Sequence, residues 1–281
     1  MRKLLIITVI LLLSGCTTKF AYKNLDWIAS WYIGDYIQLT EEQEAIVDQN
    51  LAIWLAWHKQ EELPRYLADL NALTSDIRHQ QLNLEKLTFH VEAIKQHWQR
   101  IKDKLVPDLV LLAPLLSDQQ VSYLFEKLDE KNAEEREEIE TGLALSPERQ
   151  QNDAIKRYKE NLTRWLGKPS PEQETLVIDV YSQLQPNDLL WLEYRKNYQA
   201  ELKTLFEQSD RGEQFSENLF QLLIEPEVFR SLALNRTNDE NALNFKLFLL
   251  DVTELTTEKQ REKLVNEINK FAEDVDVLMQ K

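Results

Sequence analysis

Leu39-Thr40-Glu41-Glu42-Gln43 decides how this chain reads. A Thr able to cap a helix, a Gln three residues on that can reach back to it, and a Leu just before them make a capping box with a hydrophobic staple. The same grammar returns at Leu116-Ser117-Asp118-Gln119-Gln120 and, without the leucine, at Ser170-Pro171-Glu172-Gln173. Ser146-Pro147 and Ser170-Pro171 each place an N-cap before Pro at the first helical position. Gly142 and Gly167 stand where preceding helices should end. Pro64, Pro107 and Pro226 open further helices.

Outward from these signals the chain divides into about twelve helices: 25–37, 41–62, 64–80, 84–105, 107–115, 118–140, 147–166, 171–184, 187–208, 212–224, 226–235 with 239–254, and 257–279. Ile155, Tyr158, Leu162 and Trp165 recur at helical spacing, as do Leu243, Leu247 and Leu250. No segment alternates like a strand for more than a few residues, and no Asn-Gly or Asp-Gly hairpin turn occurs. The fold class is therefore all-α, a multi-helix bundle. Residues 118–166 are expected to form an antiparallel helical hairpin with a projecting outer end. Asp129 to Glu138 and Pro147 to Asp153 are polar over matching distances from the turn, so a covering core is not expected there. The joint at 167–171 suggests lobes 25–166 and 171–281; a single continuous domain is the alternative.

The chain opens Met1-Arg2-Lys3, runs apolar over 4–13 with Thr8 as the one break, and reaches Leu13-Ser14-Gly15-Cys16. A basic start, a short apolar run and small residues before a cut site make a signal peptide over 1–15. The run is well short of the roughly 20 apolar residues that span a bilayer. Leu13-Ser14-Gly15-Cys16 resembles a lipobox. That resemblance implies cleavage between Gly15 and Cys16, a diacylglyceryl group on the Cys16 thiol and an acylated new amine, with 16–24 as a lipidated tether. The residue after the Cys is Thr17 and not the Asp that resembles an inner-membrane retention signal. The expected address is therefore the outer membrane, facing the periplasm. Cys16 is the only Cys, so no disulfide can form within the chain.

Removing Arg2 and Lys3 takes the net charge from −15 to −17. Such a chain repels nucleic acid, which is not an expected partner. It repels anionic lipid heads too, so the covalent lipid must supply the membrane contact. At 43% hydrophobic residues it can bury a sizeable core.

Enzyme patterns are missing. His58, His79, His90 and His97 carry no Glu-x-x-His spacing and no His-Glu-x-x-His, and they read as polar surface residues. His90 and His97, two turns apart, could share a helix face. With five scattered glycines there is no phosphate-cradling loop, and no Gly-x-Ser-x-Gly elbow occurs. No catalytic residue, metal or cofactor is expected. Asn161-Leu162-Thr163 and Asn235-Arg236-Thr237 match the glycosylation pattern by chance, given the bacterial lipobox. Trp27 with Trp31, and Trp54 with Trp57, form two helical pairs. They either lock two helices together or line an aromatic cleft near the anchor. Asp26 and Asp35 share the first helix, and Arg65 is the expected partner of one of them. Trp27, Trp31, Asp26, Asp35 and Arg65 are thus the candidate structural or ligand cluster.

Tyr22-x-x-Leu25-Asp26-Trp27, Trp31-Tyr32-x-x-Asp35-Tyr36, Leu39-Thr40-Glu41-Glu42-Gln43, Trp54, Trp57-His58 and Leu63-Pro64-Arg65-Tyr66, together with the lipobox, resemble an uncharacterised family of proteobacterial lipoproteins with a domain of unknown function. The likeness is clear over about the first 70 residues. It implies location and a helical fold, not an activity. The paired motifs at Leu39 and Leu116 also resemble the Leu-Thr-x-x-Gln pairs of periplasmic chaperones of the Spy and CpxP type, with Ser117 replacing Thr in the second. Those chaperones are shorter and not lipidated, and a stapled capping box alone explains the motif. The expected function is a non-enzymatic binding or envelope-structural role with a protein partner; an ATP-independent chaperone is the alternative.

Overall fold

The computed structural model describes residues 20–280. The expected signal peptide over 1–15, with Gly15, and the expected lipid site Cys16 lie outside them. Among the described residues there is no strand, and eleven α-helices follow in order: α1 Leu25–Tyr36, α2 Glu41–Trp57, α3 Leu63–Arg78, α4 Leu84–Leu112, α5 Asp118–Leu143, α6 Pro147–Leu166, α7 Pro171–Gln183, α8 Asp188–Phe206, α9 Glu213–Ile224, α10 Leu232–Glu254 and α11 Glu258–Gln280. The all-α bundle expected from the capping signals is the observed fold. The three boxes form as read: Thr40, Ser117 and Ser170 each accept from the backbone of the residue three on, and Gln43, Gln120 and Gln173 each return the bond. Gly167, at φ +86, ends α6 in a backbone region that only glycine adopts freely.

Two prolines do not end their helices. Pro107 lies inside α4, which runs on to Leu112 where a break after 105 was expected. An interior Pro costs about 3 kcal/mol. Val106 and Val110, 4% and 7% exposed, place this segment in the core with Phe125, Phe206 and Phe215. Burying such side chains contributes about 1.5–3 kcal/mol each, which offsets the break. Near Pro64 the backbone stays helical from α2 into α3 through a π-helical turn, His58–Glu62, in which the Leu63 N–H bonds the His58 carbonyl. Pro64 has no N–H for the ordinary ladder, and the widened turn absorbs that gap. Near the C-terminus Ser231 caps α10, which continues to Glu254, where two pieces were expected.

The expected hairpin does not form: α5 and α6 do not pack along one another. α5 lies against α8, and α6 against α7 and α11. The polar stretch of α5 finds polar partners on α8: Asn132 donates to Gln199 (2.6 Å), and Glu135 pairs with Arg195. Asn132 is buried. Periodicity looks for apolar cover, so it does not see a helix satisfied by polar groups from far along the chain. Most side chains from 136 to 149 are exposed.

The joint at 167–171 does not divide the core. One cluster joins Val106 and Val121 to Leu205, Phe215 and Leu219; another joins Leu162 and Leu166 to Val177, Phe248 and Val252; a third joins Ile77 to Val265 and Ile268. α11 packs along α3. Each cluster draws on residues from both sides of that joint.

The capping boxes also tie helix starts to one another. Gln43 and Gln120 exchange side-chain hydrogen bonds (3.3 and 2.6 Å), and each donates to the carbonyl two residues before the other's cap, Leu115 (2.7 Å) and Gln38 (2.6 Å). A fourth box at Thr257 and Gln260 pairs in the same way with Gln173, using Leu255 and Lys168 as acceptors. Two amide clamps of one design therefore hold four helix N-termini, one clamp more buried than the other.

Candidate functional site

The largest concentration of buried ionisable groups lies where the π-helical turn and α3 face α4. Glu62, Asp69 and Asp76 recur every seven residues along the π-helical turn and α3; His90 and His97 recur every seven along α4. A seven-residue step is close to two helical turns, so each set stays on one face. The two helices run in opposite directions, so the sets meet station by station. The His90 Nε2 is 3.0 Å from Asp76 Oδ2, and Lys86 also reaches that carboxylate. The His97 Nε2 is 2.7 Å from Asp69 Oδ2, and its Nδ1 is 3.1 Å from Glu62 Oε2. Arg100 donates to both Glu62 oxygens (2.7 and 3.1 Å) and also contacts the His97 ring.

Glu62 is 1% exposed, a cost few carboxylates bear without partners. Burial pushes its carboxyl up, but the hydrogen bonds from Arg100 and His97 outweigh that and hold it below the ordinary carboxylate value. Asp76 is also held low, chiefly by the Lys86 hydrogen bond, with His90 adding to it against desolvation. Beside them His58 sits between two phenols, with Tyr22 Oη 3.0 Å from its Nδ1 and Tyr66 Oη 3.2 Å from its Nε2. Burial lowers the His58 pKa, although Glu62 pulls it up, and a neutral ring can donate to one phenol oxygen while accepting from the other. Burial in turn pushes the Tyr22 and Tyr66 hydroxyls up to about 12. Tyr66 meets the His97 ring edge-on at 4.4 Å between centroids.

Chemically this seam is closed on itself. The four acceptor positions of the Glu62 carboxylate face two Arg100 nitrogens, one His97 nitrogen and, at 3.5 Å, Arg65 Nε. Among the described residues no group of three or more His, Cys, Asp or Glu side chains is arranged to hold a metal ion. Two open grooves, of about 480 and 520 Å³, lie elsewhere: one beside Leu205, Leu222 and Phe229, the other beside Phe125, Ala133 and Lys203.

The five residues expected to cluster are not brought together. Arg65 is half-exposed and reaches Glu62 (3.5 Å) and Glu61 (3.9 Å), carboxylates three and four residues back on its own rod, and not Asp26 or Asp35. Carboxylates at i−3 and i−4 on the same helical run satisfy Arg65, so it needs no partner from α1. Asp26 turns back to accept the Trp27 backbone N–H (2.8 Å). Asp35 is exposed at the far end of α1. Trp27 and Trp31 are 66% and 60% exposed, so they neither lock onto the Trp54 pair nor line a cleft. Trp54 is buried and donates to Asp108 (2.7 Å). His90 and His97 are buried too, against the surface reading, because their carboxylate partners come from α3. They do share a face, as their spacing suggested. The signal that would have found the seam is the matching seven-residue step of Glu62, Asp69 and Asp76.

No curated protein and no solved structure matches this chain. A family profile does, over residues 35–232, which take in the seam, one amide clamp and most of the core. The chain belongs to the family of unknown function DUF6279.

Proposed function

We propose that the protein is a lipoprotein of the outer membrane, held by lipid on Cys16, whose helical body serves a non-enzymatic binding or structural role in the periplasm. The observation that carries the non-enzymatic part is the closed seam: Glu62, His97 and Arg100, buried and ionisable, are occupied by one another. A catalytic constellation keeps a polar group aimed at a space for substrate. Here the same chemistry fastens α3 to α4. Support for the anchor comes from Leu13-Ser14-Gly15-Cys16. No helix among the described residues is long and apolar enough to cross a membrane. On this reading the lipid carries the attachment, and two or more acyl chains suffice for a stable anchor.

Metabolic labelling with a fatty acid, followed by separation of inner and outer membranes, tests this. Label on the wild type in the outer-membrane fraction, lost in Cys16→Ser, is the expected result. A labelled Cys16→Ser chain, or an unlabelled wild type, contradicts the anchor.

The chaperone reading draws on a different observation. Ile94 and Trp98, one turn apart on α4, are 68% and 52% exposed and offer apolar surface to an unfolded client. The paired Thr/Ser-x-x-Gln motifs support it less, since their glutamines turn toward each other. Suppression of client aggregation without ATP, lost in Ile94→Ser/Trp98→Ser, would favour this reading over a scaffold.

A further inference from the structure

We infer that Phe20 and the face of α1 carrying Trp27 and Trp31 lie in the headgroup–acyl boundary of the bilayer that holds the Cys16 lipid, and so fix how the body stands on the membrane. The inference rests on the lipoprotein reading above and adds a second, non-covalent contact to it.

Residues 20–23 are helical and lead into α1 through backbone bonds from Asn24 N–H to the Phe20 carbonyl (3.2 Å) and from Ile28 N–H to the Asn24 carbonyl (2.9 Å). Asn24, at φ −114 and ψ 22, interrupts the helical run between Phe20 and α1; on α1 itself Trp27 and Trp31 are one turn apart, about 40° from each other. All three are exposed, at 67%, 66% and 60%. Other side chains of this segment face the body: Tyr22 meets His58, Ser30 donates to Asp48 (3.3 Å), and α1 packs on α2 and α5. No α1 residue is fully buried, so little in the interior explains why this helix is so rich in aromatics.

The occupant follows from distance and charge. Cys16 and Phe20 are four residues apart, which at full extension is about 14 Å. The headgroup region on each side of a bilayer is about 5–8 Å deep. A lipid seated in the leaflet therefore holds Phe20 at the membrane surface. Trp is the residue type most at home in that layer, with an apolar body and one N–H for the wet side. After the expected cleavage the body's net charge of −17, from −15 for the full chain less Arg2 and Lys3, works against electrostatic attachment to anionic lipid. Lys23 is exposed just before the helix, Asp26 turns back onto the Trp27 N–H, and exposed Asp35 stands one turn beyond Trp31. The two tryptophans thus form an apolar patch with a cation on one side and a carboxylate at its far end, an amphipathic arrangement suited to an interface.

The test uses the full lipidated chain on phosphatidylethanolamine–phosphatidylglycerol vesicles whose acyl chains carry bromine, a contact quencher of indole fluorescence. Mass spectrometry first establishes the lipid on Cys16. Wild type is expected to lose part of its tryptophan emission, and Trp27→Ser/Trp31→Ser to lose none while still floating with the vesicles. Both positions are exposed, so the variant keeps the fold; circular dichroism checks this. A lipidated wild type showing no quenching, or quenching equal in the variant, overturns the inference and leaves the lipoprotein reading standing. A tryptophan-dependent dimer without quenching overturns it in favour of a second copy. An unlipidated Cys16 removes both readings together.

Discussion

The seam between α3 and α4 hides Glu62, His90 and His97 from water, whereas α1 holds out Trp27 and Trp31 to it. Both regions run against the usual sorting of polar and apolar groups, in opposite directions. In the seam every misplaced charge has an answer a few ångströms away, on the next helix. On α1 the exposed aromatics have no such answer inside the molecule. A buried charge with partners explains itself as architecture; an exposed aromatic pair beside a proposed lipid site points to something outside the chain.

The seam offers the largest effect with which to break that contrast. Glu62→Ala should cost roughly 3 kcal/mol of stability, because it strands Arg100 and His97 at a buried station. Denaturant unfolding followed by circular dichroism reads this directly. A loss under about 0.5 kcal/mol would show that the seam is not structural and would reopen it as a site.

The two amide clamps sharpen the comparison within one design. Gln173 is 0% exposed, while Gln43 is partly open to solvent. Losing a capping partner and a buried cross-helix amide should make Gln173→Ala cost about 2 kcal/mol, against about 1 for Gln43→Ala. Equal losses in the same unfolding assay would mean burial does not set the worth of the clamp.

Acid should act on the seam and spare α1. The His58 pKa is lowered from its ordinary 6.5, so the unfolded chain binds that proton more readily. Its contribution is complete above about pH 6.5 and fades as pH falls toward the lower folded value. Glu62 and Asp76 are held below their ordinary 4.5 and 3.8. Their contributions are complete above those values and are lost as pH falls through the folded ones. Stability against pH should therefore decline in two stages, and His58→Gln should flatten the upper one. A single stage, unchanged by His58→Gln, would contradict the assignment. The smallest effect belongs to the other region: Trp27→Ser/Trp31→Ser should shift stability by no more than about 0.5 kcal/mol per site, as exposed positions do.

Much of the frame was legible in the sequence because capping is local. Thr40, Ser117, Ser146 and Ser170 mark helix starts that the structure keeps, and Gly167 marks a stop. The fourth box, Thr257-x-x-Gln260, carries the same local signal. Local rules also misled: Pro107 and Pro64 read as boundaries, yet core packing carries one helix through and a π-helical turn carries the backbone past the other. The seam was out of reach for a different reason. His97 looks like a surface residue until Glu62 and Asp69, 35 and 28 positions earlier, are folded against it. Arg65 was assigned across helices when its carboxylates were in the preceding turn.

Hydrogen exchange by mass spectrometry, on the lipidated chain bound to vesicles and on the Cys16→Ser chain free in solution, tests the contrast between the two regions in one experiment. Peptides covering 20–36 should exchange more slowly on the membrane, while peptides covering 58–100 should exchange alike in both states. Slower exchange across 58–100 with no change at 20–36 would place the outward-facing surface at the seam and contradict the account.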